Sequence, residues 1–196
     1  MKLYYQISQI KAKNGKAIKY RKVRSRSFVR AYLYGMFTQV SVVSCSTPDI
    51  NNASHTPEYF IFQAPGGHDA VYCFYLVNDW GSVAKNGIVI GTGNTAVTSS
   101  DYMLQTRIVS GVATGEIEYF ANIFTTVVVS APNASFTVNR IFRNGSGGSV
   151  TIKEIGIYAM SEDAYTYCII RDVLGVPVTM DDGDYLKITY TFQVTA

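Results

Sequence analysis

Histidine, tryptophan and charge are all scarce in this chain: two histidines, one tryptophan and 16% charged residues among 196. His55 and His68 sit in polar loops beside Ser54 and Asp69. Neighbours in sequence seldom converge as a catalytic triad, so nucleophile-and-base chemistry has little footing. The three cysteines, Cys45, Cys73 and Cys168, form an odd set without metal-ligand spacing. They lie among apolar residues, as in "VYCFYLV" and "YCIIRDV", and read as buried thiols of a chain assembled in a reducing cytoplasm. Leucine and alanine are too sparse for a helical bundle. No apolar run approaches the roughly 20 residues of a membrane span. The opening "MKLYYQISQIKAKNGK" lacks the apolar stretch and cleavage signal of a secretory leader.

Motifs for cofactors and metals are also thin. "GTGNT" contains a GxG but no third glycine opening a helix, which argues against a dinucleotide site. "MDDGDY" lacks the spaced ladder and terminal glutamate of a calcium loop, so Asp181, Asp182 and Asp184 read as a turn. Glu116 and Glu118 share one strand face, and spacing offers them no partner acid. The expectation is a protein without catalytic residues, cofactor, metal or membrane contact.

What is abundant is tyrosine (15), phenylalanine (10) and the β-branched residues, which suit pleated, half-buried surfaces. The final run, "YLKITYTFQV", turns Leu186, Ile188, Tyr190, Phe192 and Val194 to one face and polar residues to the other. "IVIGTG" reads as a short strand, and "EIEYFANIFTTVVVSA" is long enough to bend or break into two. "SFTVNRIFRN" and "SVTIKEIGIYA", joined by "NGSGG", carry a hairpin signal. "NTAVTSSDYMLQTRI" is expected to hold one helical turn capped by Ser99 or Ser100. Eight or more strands with frequent turns predict an all-β fold, a β-sandwich of jelly-roll or Greek-key type.

Charge is unevenly spread. Residues 1–30 hold ten basic groups and no acidic one, whereas residues 31–196 hold seven basic and fourteen acidic. Residues 1–24 therefore read as a basic N-terminal arm, either a hairpin turning at Asn14-Gly15 or a segment ordered by a partner. Residues 25–196 read as a single sandwich. The arm's Lys11, Lys13, Lys16, Lys19, Arg21, Lys22 and Arg24, with Arg26 and Arg30 beyond it, are the candidate partner-binding residues. They suit either nucleic-acid phosphates or the acidic bodies of neighbouring copies. One short helix is expected at about 26–43, capped by Ser25 or Ser27, with Phe28, Tyr32 and Met36 as its packing stripe.

Glu154 interrupts the strand-like "SVTIKEIGIYAM". A buried carboxylate needs a partner, so a structural salt bridge to Arg140, Arg143 or Arg171 is expected, with a bulge near Glu154–Gly156. The stretches "VIGTGNTAVTSSDYMLQTRI", "FTVNRIFRNGSGGSVTIKEIGIYA" and "CIIRDVLGVPVTMDDGDYLKITYTFQV" resemble structural proteins of tailed bacteriophages, notably tail-associated, fibre and adaptor proteins. "SRSFVRAYLYGMF" resembles the short helix that often precedes such a module. The resemblance spans roughly residues 25–196 and is clearest from Ile88 onward. It implies a non-enzymatic virion component, assembled in the host cytoplasm through contacts with its own copies and other virion proteins. Two other readings stand beside it: a small-virus coat protein whose arm binds packaged nucleic acid, and a carbohydrate-binding receptor module built around Trp80.

Overall fold

The computed structural model describes residues 1–20, 22–25, 27–29, 32–33, 47–55, 86–160 and 165–195. Within them the chain is almost wholly β, in twelve strands. The short ones are β2 (Ala17–Lys19), β3 (Val23–Ser25), β4 (Thr47–Pro48), β5 (Ser54–His55), β6 (Gly87–Gly91) and β8 (Val128–Ser130). The long ones are β1 (Lys2–Ile10), β7 (Glu118–Phe124), β9 (Asn133–Arg143), β10 (Val150–Met160), β11 (Thr166–Met180) and β12 (Tyr185–Thr195). The main sheet runs β2-β1-β12-β9-β7, with β3 also on β1 and β8 also on β9. A second sheet runs β11-β10-β6, and β4 pairs with β5 alone. All these pairings are antiparallel.

Alternation explains the core. Leu3, Tyr5 and Ile7 of β1 and Leu186, Ile188, Tyr190 and Phe192 of β12 turn inward and are buried. Opposite them lie Ile155 and Ile157 of β10, Ile170 of β11, and Ile88 and Ile90 of β6, all fully buried. Burying a Leu or Ile side chain is worth about 1.5–3 kcal/mol, so these facing rows hold the two layers together.

Four expectations need correction. The 1–24 segment is not an appendage: β1 pairs with β12 along its whole length, from Lys2 opposite Gln193 to Ile10 opposite Tyr185. Its alternating "LYYQI" supplies core side chains, so it belongs to the sandwich. The hairpin expected around "NGSGG" is instead a corner between layers, because β9 pairs with β12 and β7 while β10 pairs with β11 and β6. Buried Asn144 shapes that corner by donating to the carbonyls of Gly148 (2.7 Å) and Met180 (2.9 Å).

The helix does not start at Ser25 or Ser27. Residues 23–25 are strand, Phe28 bridges antiparallel to Ile170, and Val29 N–H donates to the Ile169 carbonyl at 3.3 Å. Both serine hydroxyls serve the buried Asp172 carboxylate rather than a helix end. Tyr32 and Leu33 are helical, and the rest of 34–43, Met36 included, lies outside the described residues. Finally, 94–108 holds turns but no helical turn. Asp101 rather than a serine closes the local turn, accepting from Thr98 N–H at 3.1 Å.

Candidate functional site

Glu154 lies at mid-strand in β10, opposite Gly91 of β6 and Val173 of β11, and is fully buried. Alternation puts Glu154, Gly156 and Tyr158 on one face, where segment 92–107 folds back over them. The Leu104 N–H donates to the Tyr158 hydroxyl at 2.8 Å. Glu154 Oε1 accepts from the N–H groups of Gly93 (3.1 Å) and Thr106 (2.8 Å). Oε2 accepts from Gln105 N–H (3.1 Å) and Arg171 Nε (2.8 Å). Arg171 then bonds Asp101 at 2.7 Å and both the carbonyl and hydroxyl oxygens of Thr95 at 3.1 Å. One carboxylate and one guanidinium thus tie both ends of a surface segment to the sheet. Desolvation opposes charge on Asp101, but the bonds from Arg171 and Thr98 outweigh it and hold its carboxyl below the ordinary range.

The same geometry explains the "GTG" stretch. A Cβ on Gly91 or Gly93 would fall 2.6 or 2.5 Å from Glu154 Oε1. Gly156 would place one 2.7 Å from Leu104 Cδ1. These glycines are small because the segment closes directly on the carboxylate. The bulge expected at Glu154–Gly156 takes another form: register shifts fall at Ile152/Glu154 and Ile157/Tyr158, and the surplus residues are on β11.

Of the three arginines expected near Glu154, only Arg171 meets it. Arg140, also fully buried, donates to the carbonyls of Phe120 (2.7 Å), Asn86 (2.8 Å) and Ile88 (2.8 Å). It staples the two sheets at the bulge between Tyr119 and Asn122, and burial lowers its guanidinium to about 10. Arg143 pairs with Glu118 at 2.9 Å on the half-exposed edge. Sequence reading missed Gln105, whose Oε1 accepts from Asn94 N–H (2.9 Å) and Thr95 N–H (3.0 Å). It also missed Asn122, which accepts from Ile88 N–H at 3.1 Å. The signal was a lone amide within an apolar run, "FANIF".

The "DDGD" corner receives the basic segment of its own chain. Lys11 Nζ lies 2.8 Å from Asp184 and 3.0 Å from Asp181. Asp184 also accepts from the N–H groups of Ala12 (2.8 Å) and Asp181 (2.9 Å) and from Gln9 Nε2 (3.0 Å). Desolvation of Asp184 is outweighed by these bonds, and its carboxyl is held low. Lys11 is therefore an internal clasp and not a free contact residue.

The remaining described cations are free of such clasps. Register places Lys19 (β2), Ser8 (β1) and Lys187 (β12) in one row on the outer face of the main sheet, and Arg24 (β3) opposite Tyr4 in another. Lys22 lies over the Tyr4 ring at 4.6 Å. Lys2, Lys13, Lys16, Lys19, Lys22, Arg24 and Lys187 are all exposed. Arg21, Arg26 and Arg30 lie outside the described residues, as do Cys45, Cys73, His68 and Trp80. By contrast, every carboxylate described beyond residue 30 accepts a hydrogen bond from the chain itself. The Phe28 and Tyr32 rings meet at 4.2 Å, tilted by 32°, and pack against the core. Cys168 is buried, which raises its thiol pKa.

Fold and site together define an all-β protein with a basic outer sheet face and internally clasped acids. No protein-family model, no curated protein and no solved structure matches the chain.

Proposed function

We propose that the chain is a non-enzymatic structural component of a tailed-phage virion: a tail, neck, fibre-adaptor or capsid-decorating protein that assembles through protein contacts. The observation that carries this reading is the use to which buried charge is put. Glu154, Arg171 and Asp101 spend their bonding capacity on locking segment 92–107 to the sheet. Such an investment suits a part whose shape is its task. The stretches that resemble phage structural proteins are those that build this lock, from "GTGNT" through "EIGIY" to "CIIRD". The test is mass spectrometry and labelled-antibody microscopy of purified particles of the phage that encodes the chain. Stoichiometric copies at one position are expected, and absence from washed particles overturns the reading.

A second reading is favoured by the exposed cations. Register gathers Lys19, Lys187 and Arg24 on one outer face with Lys22 over the Tyr4 ring, a cluster of exposed positive charge. A phosphate backbone is a complement to Lys19, Lys22, Arg24 and Lys187. Binding of labelled single- and double-stranded DNA should weaken with salt, at about 0.9 of a log unit per phosphate contacted for the duplex. Salt-insensitive or undetectable binding removes this reading and leaves the first intact.

A further inference from the structure

The outer face of the main sheet carries aromatic rings in register with its cations. Leu3, Tyr5 and Ile7 turn inward, so alternation turns Lys2, Tyr4, Ser8 and Ile10 of β1 outward. Lys19 and Lys187 flank Ser8, and Tyr185 lies directly opposite Ile10. No acid interrupts the face, because β1, β2, β3, β9 and β12 contain neither Asp nor Glu. Where it ends, Glu118 is paired with Arg143, and Asp181 and Asp184 with Lys11.

Apolar surface is exposed at a definite place on this face. Ile10 is 50% exposed and Tyr185 42% exposed, side by side at the end of the lysine row. Tyr185 and Lys187 stand two residues apart on one face of β12, about 7 Å. A base resting on the Tyr185 ring therefore leaves its own phosphate within reach of Lys187. About 20 Å along the strands the pairing of ring and cation recurs. There Arg24 lies opposite the half-buried Tyr4, and Lys22 sits 4.6 Å above its ring.

We propose that this face binds nucleic acid as a single strand laid along β1 and β12, bases against tyrosine and phosphates against the lysine row. This rests on the nucleic-acid reading above and narrows it to one form of the polymer. A duplex keeps its bases stacked within itself and offers a sheet face its phosphates, so the tyrosine rings would find no partner. A single strand has splayed bases, each presenting a π-face to an aromatic side chain whatever the sequence. Positive charge tracking the backbone beside such rings is the general means of holding a single strand. Five described cations, Lys2, Lys19, Lys22, Arg24 and Lys187, correspond to a salt slope of about 3.5 log units at full engagement.

The test is fluorescence anisotropy of the full-length chain over a salt series, with labelled single strands of DNA and RNA and the matching DNA duplex. Tyr185→Ala, Tyr185→Phe and Lys187→Gln are measured beside it, with circular dichroism and thermal unfolding to check the fold. One of the single strands should bind about tenfold tighter than the duplex at equal salt, and the tighter one names the sugar. Tyr185→Ala should lose about tenfold in affinity for that strand at an unchanged salt slope, while Tyr185→Phe keeps the native affinity. Lys187→Gln should instead reduce the slope by about 0.7. A duplex bound as tightly as either strand overturns the inference and leaves the nucleic-acid reading standing. A folded Tyr185→Ala that binds single strands like the native chain has the same consequence. Failure to bind any of the three removes both.

Discussion

Glu154 has four hydrogen-bond donors and no exposed surface. Replacing it with glutamine keeps the volume but points an amide N–H₂ at groups that can only donate. It also leaves Arg171 with half of its negative partners. Breaking a buried pair in this way costs about 3–5 kcal/mol. Glu154→Gln should therefore lower the urea unfolding midpoint severely, and a loss below about 1 kcal/mol would contradict the lock. The acids at the "DDGD" corner make a complementary prediction. Asp181 and Asp184 are held below the ordinary carboxylate range, so their stabilisation is present above about pH 4 and is lost as pH falls through their folded values. Asp172 is raised by burial and acts in the opposite sense, favouring the folded state at low pH. In Lys11→Met the fall in thermal midpoint between about pH 6 and pH 3 should be shallower than in the native chain. Parallel curves would mean that Lys11 carries no linkage.

At the level of elements, the informative unit is segment 92–107 with the strand beneath it. Its glycines permit backbone to approach carboxylate, so Gly93→Ala must displace either Glu154 or Gln105. Overpacking of this kind costs about 1–3 kcal/mol, read as a shift in denaturant midpoint. Hydrogen exchange should also quicken at Gln105 and Thr106, whose N–H groups Glu154 receives. Exchange unchanged at those amides would detach the glycines from the lock. Strands were largely legible in advance: the alternation of "YLKITYTFQV" is the burial pattern of β12 from Tyr185 to Phe192, and only Val194 of its expected dry face is exposed. Corners were not. "NGSGG" has the chemistry of a tight turn, and local chemistry cannot tell a turn within a sheet from a crossing between sheets. Long-range pairing decides that, here β9 with β12 and β10 with β11. "SRSF" read as a helix start because serine caps helices. Ser25 instead ends β3, and the hydroxyls of Ser25 and Ser27 both bond the buried Asp172.

For the whole molecule, the charge asymmetry of the sequence is partly resolved within one chain. Lys11 docks on the acidic corner, and the outer sheet face keeps Lys19, Lys22, Arg24 and Lys187 in the open. Charge reversal at Lys19 and Lys187 together should abolish salt-sensitive DNA binding while leaving the thermal midpoint within a degree or two, because exposed sites contribute little to stability. A large loss of stability would instead assign these residues to the fold. By itself the sequence determined the class of fold, the rows of the core and the need for Glu154 to be paired, because alternation and the cost of a buried charge act locally. Only the tertiary structure decided that Arg171 and not Arg140 or Arg143 answers Glu154, that β1 runs as an inner strand between β12 and the short β2 and β3, and that Lys11 closes on the acidic corner. Those outcomes depend on which distant strands become neighbours, and residues 50 or 150 positions apart carry no mark of that in their local order.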